Sequence, residues 1–194
     1  MHVARNMLGK VLFRQISGGI AAGIIYEVEA YQGEDDLGCH AKAGRTPRTA
    51  VMYGPPGHVY VYFTYGMHWM LNVVADQVDT PAAVLIRAVH PIMGLELLDV
   101  YRPRPIRWKE SQPSAGWTDG PAKICQAFHI DGGFNYKSIC SDQNGLWIAD
   151  CGLRFDEDQV ITSPRVGLFS VPEPWKSIPW RWRIDPKILV GIPG

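Results

Sequence analysis

Glu27, Glu29 and Tyr31 occupy alternate positions at the end of an apolar run over residues 20–29. Residues two apart on a β-strand share a face, so the pattern predicts both carboxylates and the phenol on one side, with Val28 and Ala30 on the other. Two carboxylates held side by side repel and raise each other's pKa. Such a pair reads either as the solvated face of an edge strand or as a carboxylate held where a water must be activated. Arg87 sharpens the choice. It interrupts the apolar run of residues 82–89, where a charge must be paired or the strand must surface. Glu29 is its natural partner, and an Arg–Glu pair is one way to hold a water for attack. Tyr60 and Tyr62 share a second strand face, with Tyr65 in the turn beyond and Tyr31 and Tyr53 near in sequence. Strand tyrosines are ordinarily core. Several of them beside a loop rich in Gly, Pro and Arg make a slot for a planar ring, which suits an extruded nucleic-acid base.

Several elements must position these residues. A short helix over 3–9 leads to a strand at 10–15, and Ser17, Gly18 and Gly19 form a hairpin turn into a second strand at 20–29. Residues 33–57 form a long Gly/Pro/charge-rich loop, a length that in a compact domain points to function. Residues 58–64 (HVYVYFT) alternate with period two. Tyr65, Gly66, Met67 and His68 turn the chain into a strand over 70–75. A strand over 82–88 and a helix over 92–100 come next. Gly120 and Pro121 open a helix to 128, with proline at its first position. Short strands are expected at 146–149, 160–169 and 180–184. The sum is one α/β domain spanning residues 1–194, a curved, mainly antiparallel β-sheet flanked by short helices.

Composition narrows the partners. Nineteen Lys and Arg balance nineteen Asp and Glu, so any nucleic-acid contact requires basic residues gathered on one face. Three segments can supply them: Lys42, Arg45 and Arg48; Arg102, Arg104, Arg107 and Lys109; Lys176, Arg181, Arg183 and Lys187. Cys39, Cys125, Cys140 and Cys151 lack CxxC spacing, so reduced thiols, no metal and no cofactor are expected. No run approaches the length of a membrane span, and no secretory pattern opens the chain. The expected location is the cytoplasm, or the nucleus in a eukaryote.

The motifs resemble the alkyladenine (3-methyladenine) DNA glycosylases. Matching segments are residues 4–12 (ARNMLGKVL), 27–33 (EVEAYQG), 40–48 (HAKAGRTPR), 52–74 (MYGPPGHVYVYFTYGMHWMLNVV), 84–88 (VLIRA), 120–127 (GPAKICQA) and 165–167 (RVG), in order along nearly the whole chain. The resemblance implies a monofunctional hydrolase of base excision repair, working as a monomer on double-stranded DNA and removing alkylated or deaminated purines. The bases implied are 3-methyladenine, 7-methylguanine, hypoxanthine and ethenoadenine. It makes Glu29 the general base, with Arg87 and the Val166 carbonyl completing the water's cradle. Tyr31 and His40 would stack on one face of the flipped base and Tyr62 on the other, with His40 also at the base edge. Asn72 would collide with the exocyclic amino group of normal guanine, and Tyr65 would fill the gap in the duplex. Arg45, Thr46 and Lys123 would contact phosphates, and Met67 and His68 would lie along the minor groove. Thr49 departs from the asparagine usual after T-P-R, and residues 185–194 from the usual ending.

Alkylated purines carry positive charge, so a tyrosine slot is expected to favour them by cation–π contact, about 0.5–2 kcal/mol per ring. Three other readings carry different chemistry. A glycosylase–lyase would use Lys123 as amine nucleophile. A non-catalytic damaged-DNA-binding module would need the tyrosines and arginines but not Glu29 with Arg87. A sugar hydrolase would use Glu27 and Glu29 as its pair, although neighbours on one strand face rarely straddle a sugar ring.

Overall fold

The computed structural model describes residues 1–109, 111, 112 and 114–192. The last two residues of the divergent ending, 193 and 194, lie outside it. In chain order the elements are α1 (His2–Asn6), β1 (Val11–Ile16), β2 (Gly19–Gln32), β3 (Val59–Thr64), β4 (His68–Val74), β5 (Ala82–Met93), α2 (Leu95–Tyr101), α3 (Pro121–Ala127), β6 (Leu146–Ala149), β7 (Val160–Ser163) and β8 (Arg181–Ile184). Eight strands form one antiparallel sheet in the order β3-β4-β5-β2-β1-β6, with β8 joined to β2 and β7 to β8. The expected curved antiparallel α/β fold is the fold observed.

The curvature originates along β2. From Ala22 to Gln32 it pairs with β5, while its other edge pairs first with β1 and then, at Glu27, Val28 and Glu29, with β8. Register shifts between β2 and β5 leave Tyr26 and Arg87 without partners, so bulges bend and twist the sheet there. Beyond the bulges, Glu29 lies opposite Leu85, Leu85 opposite Asn72, and Asn72 opposite Tyr60. Directly opposed residues point to the same face. This register therefore draws a row across four strands with Glu29 at one end and Tyr60 at the other. The opposite face, with Val28, Ile86, Leu71 and Val61, packs into the main core with Ile124 and Phe128 around α3.

Five sequence expectations need correction at their boundaries. The first helix stops at Asn6, and Gly9 at φ +80 turns the chain into β1. His68 opens β4 rather than belonging to the turn. Ile92 and Met93 extend β5, because β2 is long enough to pair Met93 with Ala22. The helix begins only after Gly94 (φ +66), where a Cβ would lie 2.5 Å from the Ile20 carbonyl oxygen. The strand expected over 160–169 ends at Ser163, since Pro164 offers no ladder N–H and Gly167 adopts φ +85. Finally, the 33–57 loop contains two 3₁₀ turns, His40–Ala43 and Ala50–Tyr53. Their buried Ala41, Val51 and Met52 form a second small core with Cys39, Tyr60 and Val74 on the concave side of the sheet.

Candidate active site

Glu29 is fully buried behind a cavity of about 230 Å³ whose lining includes Tyr31, His40, Tyr62, Asn72, Arg87 and Val166. The volume falls below the roughly 300–1,000 Å³ of pockets for drug-sized ligands, and suits one ring system. Three groups hold the carboxylate. The Val166 N–H donates to Oε1 at 2.6 Å, the Tyr31 hydroxyl donates to Oε2 at 2.8 Å, and Arg87 Nε lies 3.3 Å from Oε1. A carboxylate has about four lone-pair positions. One on Oε2 is left for a further donor. Burial pushes the Glu29 carboxyl above its ordinary pKa, against the opposing pull of Arg87, the Val166 N–H and the Tyr31 hydroxyl.

Glu27 has a part that its spacing did not reveal. It accepts the Arg87 Nε–H at 2.9 Å, closer than Glu29 approaches, and lies 3.5 Å from Arg181 Nη1. Arg181 is fixed in turn by donating to Ser163 Oγ at 2.9 Å. Glu27 therefore aims Arg87, and Glu29 lies behind the cavity-lining Tyr31, Arg87 and Val166. Both carboxylates keep Arg87 charged despite its burial.

Val166 reaches Glu29 through its N–H; the expected carbonyl belongs to the same exposed turn. The turn is held by Arg165, whose guanidinium forms a fork on Asp36 (2.5 and 2.8 Å) with both side chains fully buried. Arg165 also donates to the carbonyls of Ala30 (3.1 Å) and Trp175 (3.2 Å), and lies over the rings of Tyr31 (4.7 Å) and Trp180 (5.0 Å). One cation thereby joins the Val166 turn, the backbone beside Glu29 and the underside of Tyr31. Sequence reading missed the pair: Asp36 sits in an acidic loop run and Arg165 lies 129 residues away, with no spacing signal between them.

His40 and Tyr62 stand differently from the expected sandwich. Their centroids are 4.6 Å apart at 78°, an edge contact, so a flat ring between them would require His40 to move. His40 Nδ1 is 2.9 Å from the Tyr60 hydroxyl. Burial, with Arg48 and Lys42 adding to it, lowers the His40 pKa to about 4, so the ring is neutral at pH 7. Asn72 is clamped by donating to the carbonyls of Tyr60 (3.1 Å) and Met70 (3.3 Å), which fixes its direction at the cavity wall. The tyrosine faces already carry cations: besides Arg165 on Tyr31, Arg48 lies 5.1 Å over Tyr62. A slot whose π-faces attract only the substrate is therefore not what the structure contains.

The remaining predicted residues surround the mouth. Tyr65, at the tip of the β3–β4 hairpin, lines the cavity, is 84% exposed and has φ +53. A bulky side chain at positive φ costs on the order of 1–3 kcal/mol, a strain that clusters at functional sites. Met67 and His68 are exposed on the same hairpin. Arg45 pairs with Asp79 (3.1 Å) and lies over Tyr53. Thr46 is held by the departing residue Thr49, whose hydroxyl accepts the Thr46 N–H and donates to the Gly44 carbonyl, both at 2.8 Å. Lys123 pairs with Asp119 at 2.7 Å outside the cavity lining. Among the described residues no group of three His, Cys, Asp or Glu is placed to hold a metal ion, and no helix is long and apolar enough to cross a membrane.

Comparison with known proteins shows the family. A family model described as methylpurine-DNA glycosylase matches residues 1–187. A protein of Desulfitobacterium hafniense (strain Y51), named "Putative 3-methyladenine DNA glycosylase", is 38% identical over 192 residues, covering 98% of this chain and 92% of its own. A protein of the same name from Clostridium acetobutylicum is 39% identical over 192 residues, with 98% and 91% coverage. One from Methanocella arvoryzae is 39% identical over 180 residues, with 91% and 85% coverage. With its cavity, its buried carboxylate and these relatives, the chain belongs to the methylpurine-DNA glycosylase family.

Proposed function

We propose that this protein is a monofunctional glycosylase that flips a damaged purine from duplex DNA into the Tyr31–Tyr62 cavity and hydrolyses its glycosidic bond with a water held by Glu29. One observation carries the reading: a fully buried carboxylate, hydrogen-bonded by the Val166 N–H and the Tyr31 hydroxyl with Arg87 beside it, sits directly behind these three lining residues of a cavity of single-ring-system size. The water donates to Glu29 Oε2. As the C1′–N bond lengthens the sugar becomes cationic, and the Glu29 charge stabilises it while the carboxylate takes the water's proton. The purine leaves with the bonding electron pair, and an abasic site remains. Arg87 opposes the cost that burial puts on the Glu29 charge.

Damaged purines stack and pair less well, which lowers the cost of flipping. Tyr65, exposed and held at positive φ, fills the vacated position in the duplex. Asn72, pinned by two carbonyls, collides with the exocyclic amino group of guanine. Arg45, Thr46 and Lys123 supply phosphate contacts, Met67 and His68 follow the minor groove, and one copy of the chain suffices. The lyase reading loses support, because Lys123 is engaged by Asp119 and no lysine is among the cavity-lining residues described.

Excision from duplexes holding one hypoxanthine, 7-methylguanine or ethenoadenine tests the reading. Release of free base with an intact abasic strand supports it. Tight lesion binding without release makes the protein a damaged-DNA-binding module instead.

A further inference from the structure

Arg48 lies against Tyr62, one of the tyrosines that line the cavity. Its guanidinium carbon is 5.1 Å over the ring of Tyr62, at one side of the cavity. Arg165 likewise lies 4.7 Å over Tyr31, which also lines the cavity. The two cations differ in one respect. Arg165 is neutralised by its fork on Asp36, whereas Arg48 approaches no carboxylate within ion-pair distance among the described residues. His40 is neutral at pH 7. The charges around the cavity therefore comprise Glu27 and Glu29 with Arg87 and Arg181, the closed Arg165–Asp36 pair, Lys42 near His40, and Arg48.

A tyrosine face attracts a cation through its quadrupole. A guanidinium against the same ring draws on the same π electrons and repels a second cation nearby. 7-Methylguanine and 3-methyladenine are cationic as nucleosides; hypoxanthine and ethenoadenine are neutral. We propose that Arg48 is a specificity-determining residue that offsets the tyrosine slot's preference for cationic purines, so that neutral damaged bases compete in the same cavity. The proposal rests on the glycosylase reading above. It requires no contact between Arg48 and the base, only a charge about one ring away from it. Arg48 is exposed, so the repulsion is screened, and its removal changes the discrimination by roughly 3- to 10-fold.

The experiment measures single-turnover excision and duplex affinity for one 7-methylguanine and one hypoxanthine substrate, with wild type, Arg48→Gln and Arg48→Lys. Arg48 contributes little to the core, so both variants are expected to fold. Arg48→Gln should raise the 7-methylguanine-to-hypoxanthine ratio by about 3- to 10-fold, and Arg48→Lys, which keeps the charge, should restore most of the wild-type ratio. The difference should shrink as salt is raised. An unchanged ratio overturns the proposal. So does an equal loss on both substrates, which makes Arg48 a phosphate contact, or Arg48→Lys behaving like Arg48→Gln. If wild type excises neither base, the glycosylase reading itself falls, an outcome distinct from an unmoved ratio.

Discussion

Replacing Arg165 by methionine should damage the protein twice, once in stability and once in chemistry. The side chain is fully buried, forks onto an equally buried Asp36 and donates to two backbone carbonyls. Methionine approximates its volume and removes the charge, so Asp36 keeps only the N–H groups of Gly38 (2.9 Å) and Gln32 (3.3 Å). Breaking a buried pair by deleting one partner costs about 3–5 kcal/mol. For a chain of this size each kcal/mol lowers Tm by roughly 2–4 °C, so a drop of about 6–20 °C is expected. The second consequence falls on Glu29. Without Arg165 the turn that presents the Val166 N–H is free to drift, and a hydrogen bond to a charged group contributes about 1.5–3 kcal/mol. Excision should therefore fall by roughly 10- to 100-fold at a temperature where the variant remains folded. Arg165→Lys keeps a charge for Asp36 but not the fork or its two carbonyl bonds, so it should recover stability more fully than rate. Urea denaturation and single-turnover excision on the same preparations read both effects. A stability loss below about 1 kcal/mol, or wild-type excision by folded Arg165→Met, refutes the reasoning.

Three further outcomes are expected. Tyr65→Ala should retain the fold, because the side chain is 84% exposed, yet lose retention of the flipped state, read by base fluorescence or lesion-duplex affinity; undiminished excision would remove Tyr65 from the site. The product should be an intact abasic strand with no borohydride-trappable adduct, and an adduct on Lys123 would place the enzyme among the lyases. The His40 pKa is depressed from 6.5 to about 4, so its contribution to stability is complete above the unfolded pKa and is lost as pH falls through the folded one. Wild type should therefore lose up to roughly 3 kcal/mol more than His40→Gln between pH 7.5 and 4, and equal urea profiles would count against a neutral His40.

The sequence disclosed the parts of the site that obey strand periodicity. Glu27, Glu29 and Tyr31 alternate along β2 and Tyr60 and Tyr62 along β3, and the pairing register sets these two faces on one concave surface. Arg87 was legible because a charge in an apolar run demands a partner. What remained hidden depends on contacts with no local period. Arg87 was expected on Glu29, whereas its Nε–H goes to Glu27 beside the bulges. Asp36 read as a loop charge and Arg165 as part of an expected strand, and only the fold buries them together. Arg48 read as one of three basic residues in a loop, and its place over Tyr62 follows from the turn closed by Thr49. The overrun of the predicted helix at residue 92 has a similar origin, since only the length of β2 reveals that Ile92 and Met93 still have a strand beside them.

The central claim is that Glu29 carries the chemistry and Glu27 only aims Arg87. Single-turnover excision by Glu29→Gln and Glu27→Gln on one hypoxanthine duplex, with lesion-duplex affinity measured alongside, tests it most directly. Glutamine at 29 keeps size and most hydrogen bonds but removes the basic charge, and loss of a general base costs about 10²–10⁴-fold. Affinity should survive, because phosphate contacts and stacking do not require the carboxylate. Glutamine at 27 can still accept the Arg87 Nε–H, so its rate should stay within about tenfold of wild type. A Glu29→Gln protein that excises at the normal rate, or a Glu27→Gln protein that is the inactive one, contradicts the account.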